Sequence, residues 1–496
     1  MSSFNKRTAL LTALMLVALN LLGSCGSASG DSENTTAAGN NDSQADAETE
    51  YSYPYPSVNY NGEEFNILNT SDMWTMHCVI GREEATGDAL DDAIFSRNTK
   101  IEEKFGITIK ETLTDNDYLY GTLLGVARNS ILSGDDEYDV MYLPLHLVSG
   151  MISEGSFNNL LDINSIQLDK DWWYSSFNDV MTINGALYGA VGGSNLMVQD
   201  AVRVLAFNED MMENLGLDKP YDLVRSGAWT LDALNKYISA GASLNGDDTA
   251  AWDKNGNTIY GLTNHGNGML YYMVGCGESN IENVNGVLTN TCGSARWFDV
   301  IDRLSTLLTI DDAKFINAHN GNDRDPELGG YIYIFMNQRT LFGVAEVNKF
   351  QDFRALDFDY GVVPFPKYDE SQDRYYTNVY EGACGAFIPI TSSDPEKVGQ
   401  IVDAMSYEGQ MSVVPVFRGI AVESKGLRNE DSVEMLGIIM DTIVPRLGLI
   451  FAVDSTLQDA LNLAIINKSD TAASLYASNK ESINTKLKDI MENWNS

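Results

Sequence analysis

Apolar and polar residues alternate along this chain with two different periods, and the changes of period divide it into elements. "EEFNILNT" (Glu63–Thr70) alternates as a strand does. From Asp88 to Phe105 the apolar residues Leu90, Ala93, Ile94, Ile101 and Phe105 share one helical face. "ITIKET" returns to strand, "DYLYGTLLGVARNSILSG" is helical with a stop at Gly134, and "YDVMYL" is the next strand. Strand and helix in alternation predict βαβ units around a mostly parallel sheet.

The middle of the chain interrupts this order. Asn184-Gly185 stands between two apolar runs, a two-residue hairpin signal. "AVRVLAF" reads as a strand, and "NEDMMENLGL" as a short helix stopped by Gly216. Another helix runs from an N-cap at Thr230 to Gly241. The α/β alternation resumes over 258–350, with one amphipathic helix carrying Trp297, Ile301, Leu304 and Leu308. "DYGVVPFP" and "GACGAFIPI" are strands, and the tail is helical over 395–407, 431–442, 456–466 and 472–494. These elements predict a two-lobed α/β protein capped by helices.

The N-terminus changes the picture most. Lys6 and Arg7 precede an uncharged run from Ala9 to Leu22, too short for the ~20 residues of a spanning helix but suited to a secretory signal over 1–24. Leu22-Gly23-Ser24-Cys25 resembles a bacterial lipobox, which makes Cys25 the lipidation site. Two or more acyl chains hold firmly, each buried CH₂ contributing about 0.8 kcal/mol. The chain from Cys25 to about residue 60, mostly small and polar with acids and no base, reads as a disordered tether. The expected location is the extracellular face of the cell membrane, with the lipid as the only membrane contact.

Composition narrows the function. There are 496 residues, enough for two domains, with 70 acids against 32 bases and a formal charge of −38. Such a chain repels phosphate backbones, so nucleic acid is excluded as a partner. Of the four cysteines besides Cys25, Cys276 and Cys292 bracket a short segment and are the expected disulfide, while Cys78 and Cys384 read as buried thiols. No GxSxG, P-loop, HExxH or GxGxxG signature is present, and no two of the four histidines have metal-ligand spacing. "DKNGN" has its glycine at the fourth position rather than the sixth and reads as a turn, not a calcium loop. No metal, cofactor or catalytic residue is therefore expected. An extracellular glycoside hydrolase, built on two of the many acids, is the enzyme alternative.

Aromatic and polar residues recur just beyond predicted strands: Asp72 and Trp74 after the first, Pro144 and His146 after "DVMYL", Asn264 and His265 after "TIYGLT". Open α/β sheets bind ligands beyond the carboxyl ends of their strands. Tryptophan and tyrosine faces stack on sugar rings, while carboxylates, Asn and His take hydroxyls. Trp172, Trp173, Trp229 and Trp297 read instead as core.

From about Glu63 onward, "GDALDDAIFSRNTKIEEKFGITI", "EYDVMYLPLHLVSGMISEGSFNNLLDI", "DKDWWYSSFNDVMTINGALYGAVGG", "LAFNEDMMENLGL" with "WTLDALNKY", and "DYGVVPFPKYDES" follow in order. Together, behind a lipobox, they resemble the extracellular solute-binding proteins of ABC importers. The likeness is to the carbohydrate-type group that includes the maltodextrin-binding protein, in its clostridial lipoprotein form. The resemblance implies a periplasmic-binding-protein-like fold, with solute held in a cleft between lobes joined at a hinge. It places lobe one at 62–200 plus 357–409 and lobe two at 202–350 plus 411–496, with the first crossing near "VQDAVRV". It also puts ligand contacts at Asp200 and Glu346, besides Asp72, Trp74, the Leu143–His146 loop and His265. The implied partners are a carbohydrate and the membrane permease subunits, the protein itself being a monomer. "YLPLH" stands where the maltodextrin binder has an acid–base pair, a departure that argues against a maltose-type ligand. A nonsugar or peptide binder and a sensor lipoprotein are the alternatives on the same fold.

Overall fold

The computed structural model describes residues 53–72, 76–82, 84–114, 121–266, 268–308, 313–317, 330–380, 382–422 and 430–494. Cys25, Trp74, the signal segment and most of the expected tether lie outside the described residues.

Two five-stranded mixed sheets organise the chain. The first is built from β1 (Glu63–Thr70), β2 (Ile107–Thr114), β3 (Val140–Pro144), β4 (Gly189–Ala190) and β13 (Cys384–Phe387), in the order β2-β1-β3-β13-β4. Its first three strands are parallel, as the βαβ pattern requires, and β13 returns antiparallel beside β3. The connecting helix Ala89–Phe105 begins where Asp88 accepts the amides of Leu90 and Asp91, and it ends at Gly106 with φ 64°.

The second sheet has the order β11-β5-β10-β6-β9, with β5 (Arg203–Asn208), β6 (Tyr260–Asn264), β9 (Phe315–Asn317), β10 (Thr340–Glu346) and β11 (Tyr360–Val363). Here β6, β9 and β10 are parallel, while β5 and β11 oppose their neighbours. Trp229 and Trp297 are fully buried in this lobe's core, and Trp172 and Trp173 are buried against the first. Among the described residues no helix is long and apolar enough to cross a membrane.

Among the described residues, two chain crossings between the lobes run side by side. Val202 bridges Val379 antiparallel, and the Tyr380 amide donates to the Ala201 carbonyl at 2.9 Å. Just before Val379, β12 (Thr377–Asn378) pairs parallel with β14 (Ile443–Val444). A flank beside this hinge is pinned by two Asn-Gly turns, one from each lobe. Asn184 and Gly185 turn with φ 49° and 75°, and Asn285 and Gly286 with φ 54° and 85°, joining β7 (Ile281–Val284) to β8 (Val287–Asn290). The Asn184 amide donates to the Gly286 carbonyl at 2.7 Å, and Asn283 Nδ2 donates to the Val180 and Thr182 carbonyls.

Four expectations need correction. Residues 360–363 were expected in lobe one but pair antiparallel with β5 of the second sheet, because β5 presents an edge there that these four buried residues complete. Residues 411–422 were expected in lobe two. A π-turn, Gly409–Val413, and the helix Val414–Val422 instead pack on the Ala89–Phe105 helix of lobe one. The packed body already includes Tyr53, ahead of residue 62: Tyr53 is buried, its hydroxyl donating to Asp403 at 2.9 Å. Polar spacing around Pro54 and Pro56 hid two tyrosines whose partners lie some 350 residues away. Lastly, Cys276 and Cys292 are separate buried thiols, not a disulfide, and Cys292 Sγ lies 3.5 Å from the Asn280 carbonyl instead. Burial raises the pKa of both thiols, that of Cys292 to about 12.

Candidate ligand site between the two lobes

The site is built at the crossing. Beyond β1, Asp72 Oδ1 accepts the amides of Cys78 (2.7 Å) and Val79 (2.8 Å), and its Oδ2 pairs with Arg82 at 3.2 Å. This carboxylate is therefore committed to folding its own loop. That fold delivers His77 to Asp200, the last residue of the short helix Met197–Asp200. Asp200 is 0 % exposed. Its Oδ2 accepts both the His77 amide (2.6 Å) and His77 Nδ1 (3.0 Å). Its Oδ1 has no hydrogen-bond partner among the described residues. Burial raises the Asp200 pKa against the opposing pull of His77. Burial works against protonating His77, yet the hydrogen bond and charge of Asp200 outweigh it and raise the His77 pKa.

From the second lobe come Arg203, which opens β5, and Glu346, which closes β10; they are direct cross-strand partners. Both are nearly buried, at 4 % and 7 % exposure. Arg203 Nε donates to Glu346 Oε1 at 3.3 Å, and its Nη1 to Asn378 Oδ1 of the hinge at 2.8 Å. Its guanidinium lies over Tyr271 (4.0 Å to the ring centre) and near Tyr380 (5.3 Å). Tyr331 donates its hydroxyl to Glu346 Oε2 at 2.9 Å, and the His265 ring stands edge-on to Tyr331 at 5.1 Å. Burial alone would raise the Glu346 pKa. Arg203, His265, Lys349 and the Tyr331 hydroxyl more than reverse this and lower it to about 2.

The strand ends of this lobe add acceptors. Asn264 and Asn317 sit side by side at the ends of β6 and β9, and the side-chain oxygen of each is buried without a partner among the described residues. On the first lobe Pro144 ends β3 buried, and His146 faces Tyr380 at 6.3 Å. The two lobes touch where Gln351 Nε2 lies 3.4 Å from His77 Nε2 and where Arg354 donates to the Ile420 carbonyl at 3.1 Å.

Of the residues expected from sequence, Asp200, Glu346, His146 and His265 thus gather around the hinge. Asn264 closes the same sheet edge, Asp72 acts through its loop, and Trp74 lies outside the described residues. Sequence reasoning missed His77, Arg203, Tyr271, Tyr331, Asn378 and Tyr380. Arg203 was hidden inside a strand pattern and Tyr271 inside a helix; only the resemblance-based placement of the crossing pointed near them. The arrangement offers buried acceptors, an ion pair and aromatic rings, which suit a polar solute. Among the described residues no cluster of His, Cys, Asp and Glu could hold a metal. A depression of about 820 Å³ on the second lobe, lined by Asp218, Thr230, Tyr237 and Glu370, shares none of these residues.

No protein-family model matches the chain, and no curated protein matches it by sequence. Solved structures do. The ABC substrate-binding protein Lmo0181 from Listeria monocytogenes, in complex with cycloalternan, is 15 % identical with a TM-score of 0.53, over 86 % of this chain and 99 % of that one. M. tuberculosis UspC is 15 % identical with a TM-score of 0.55, over 85 % and 100 %. A cyclo/maltodextrin-binding protein complexed with maltotetraose is 14 % identical with a TM-score of 0.53, over 87 % and 97 %. At these identities the likeness establishes the fold: a two-lobed, periplasmic-binding-protein-like α/β architecture over almost the whole length of each relative.

Proposed function

We propose that this protein is a solute-binding protein that captures a sugar or oligosaccharide between its lobes and passes it to the permease of an ABC importer. The observation that carries the reading is the hinge site itself. Asp200 holds a buried acceptor without a partner among the described residues, on the chain segment that leads into Arg203 and its pair with Glu346, in a fold shared with binders of cycloalternan and maltotetraose. A solute hydroxyl donating to Asp200 Oδ1 gives that oxygen the partner whose lack costs about 1–3 kcal/mol in a buried site. Tyr380, only partly buried at the hinge, offers a ring for stacking on a sugar. Micromolar capture needs about −8 kcal/mol, within reach of a few stacked rings and buried hydrogen bonds net of ordering costs. Closure of the hinge then presents a two-lobe surface to the permease. In this reading no bond of the solute is broken, the protein is a monomer, and lipidated Cys25 keeps it at the extracellular face of the membrane.

The test is a panel of neutral mono- and oligosaccharides read by thermal shift and calorimetry, with Asp200→Asn as control. Binding by at least one sugar, weakened about tenfold or more in the variant, is expected. A panel in which no carbohydrate binds or raises the melting temperature removes the sugar assignment. Release of reducing ends from any of them would replace binding by hydrolysis. For the anchor, metabolic labelling with a fatty acid is expected in the wild type and not in Cys25→Ala.

A further inference from the structure

We propose that His77 is the positioning residue of this site: it presents Asp200 to the solute and couples solute capture to lobe closure. The inference rests on the solute-binding reading and adds to it a residue, a contact between the lobes and a dependence on pH.

The geometry is specific. His77 uses its backbone amide and its Nδ1 on the same oxygen of Asp200, at 2.6 and 3.0 Å. Both donors go to Oδ2, so Oδ1 is left as an oriented acceptor that is wholly buried and has no partner among the described residues. The opposite edge of the ring, Nε2, lies 3.4 Å from the Gln351 amide of the second lobe. Phe417, from the helix Val414–Val422, stands edge-on to the ring at 5.8 Å. One imidazole thus touches the acid at the hinge through one nitrogen and the opposing lobe through the other. The charged groups that face it are Asp200, with Asp72 and Arg82 from its own loop; Gln351 and Phe417 carry no charge.

The chemistry gives the pH dependence its sign. With its Nε2–H group toward the ring, Gln351 pairs with a neutral imidazole whose Nδ1–H donates to Asp200; with its amide turned, it accepts from an imidazolium that donates from both nitrogens. The contact thus joins His77 to the second lobe in either protonation state, and pH acts through Asp200. The protonated ring adds a positive charge beside that acid, which a neutral ring lacks. It also keeps Asp200 ionised, the state that accepts best from a solute hydroxyl. Affinity is therefore highest in the range where His77 is protonated and Asp200 is not, and it falls as pH rises through the histidine's titration.

The experiment measures affinity from about pH 6 to about pH 8.5 for the tightest-binding sugar of the panel, with full-length wild type, His77→Asn and His77→Ala. Wild type is expected to weaken about three- to tenfold across that range. The asparagine amide can still donate to Asp200 but has no second edge for Gln351. His77→Asn should therefore retain part of the affinity, with the pH dependence gone and the melting temperature near that of wild type. His77→Ala should bind more weakly than His77→Asn. A flat wild-type profile, or a His77→Asn profile parallel to a sloping wild type, overturns the proposal while leaving sugar binding intact. Should no sugar bind, the sugar reading fails, and His77 is judged by NMR titration of its ring in the ligand-free protein. A titration above the ordinary histidine range that falls back in Asp200→Asn sustains the pairing, and an ordinary titration unaffected by Asp200→Asn refutes it.

Discussion

Glu346 stays ionised though nearly buried, and the reason lies in what surrounds it. Arg203, Lys349 and His265 offset the lost solvation, and Tyr331 donates to its second oxygen. Its folded pKa, about 2, is below the ordinary value of 4.5. A depressed carboxylate stabilises the fold above its unfolded pKa, and that contribution disappears as pH falls through the folded value. Glu346→Gln should therefore cost about 3–5 kcal/mol at neutral pH, since it leaves Arg203 without its acid. The gap from wild type should narrow between about pH 4.5 and about pH 2 in urea unfolding. Asp403 makes a second residue-scale case. Wholly buried, it accepts from Tyr53, from the indole nitrogens of Trp172 and Trp173, and from both the backbone and side chain of Gln167. Asp403→Ala strands five donors and should lose about 3–5 kcal/mol, whereas Tyr53→Phe, which removes one hydroxyl, should lose about 1 kcal/mol.

Asp403 belongs to the helix Pro395–Glu408, which ties three elements together. On one side the strap at Tyr53–Tyr55 lies against it: Tyr53 packs on Tyr407 and Trp172, and Tyr55 bonds Glu408, which also pairs with Lys100 at 2.6 Å. At its end the π-turn begins, and there the backbone passes so close to Gly193 that a Cβ on Gly409 would sit 2.0 Å from the Gly193 carbonyl oxygen. Gly193 leads directly into the helix that ends at Asp200. Gly409→Ala should therefore push apart two segments that support the site. The expected cost is about 1–3 kcal/mol of stability in urea unfolding, together with weaker sugar binding. An unchanged midpoint would mean that the turn can shift freely. No periodicity marks these glycines, because their role is set by a neighbour more than 200 residues away in the chain.

At the scale of the molecule, a formal charge of −38 opposes compaction. Added salt screens that self-repulsion, so the melting temperature should rise between low salt and about 0.5 M NaCl, where the screening length falls to a few ångströms. A fall would show that specific ion pairs, such as Arg225 with Asp431 and Glu434, outweigh the general field. The same field disfavours an anionic solute.

The alternation of period was legible enough to yield most strands of both sheets, most helices and several caps, while β9 and β10 stayed unnamed within the alternation over 258–350. Asp88, Gly106, Thr230 and Gly134 act as their residue types require, since capping is settled within a few residues. The order of elements likewise implied an α/β fold of two lobes, because an amphipathic strand or helix has few ways to bury its apolar face. Edge membership was not legible: β11 could join either sheet, and the partner strand, not its own residues, decided. The site was legible only in part. Asp200 and Glu346 were reached through the family resemblance. His77, Arg203 and the tyrosines around them acquired a role only when loops, strand ends and hinge met in space. Local interactions write secondary structure into the chain, whereas the proposed site of residues 77, 200, 203, 346 and 380 comes together only where tertiary contacts close those separations.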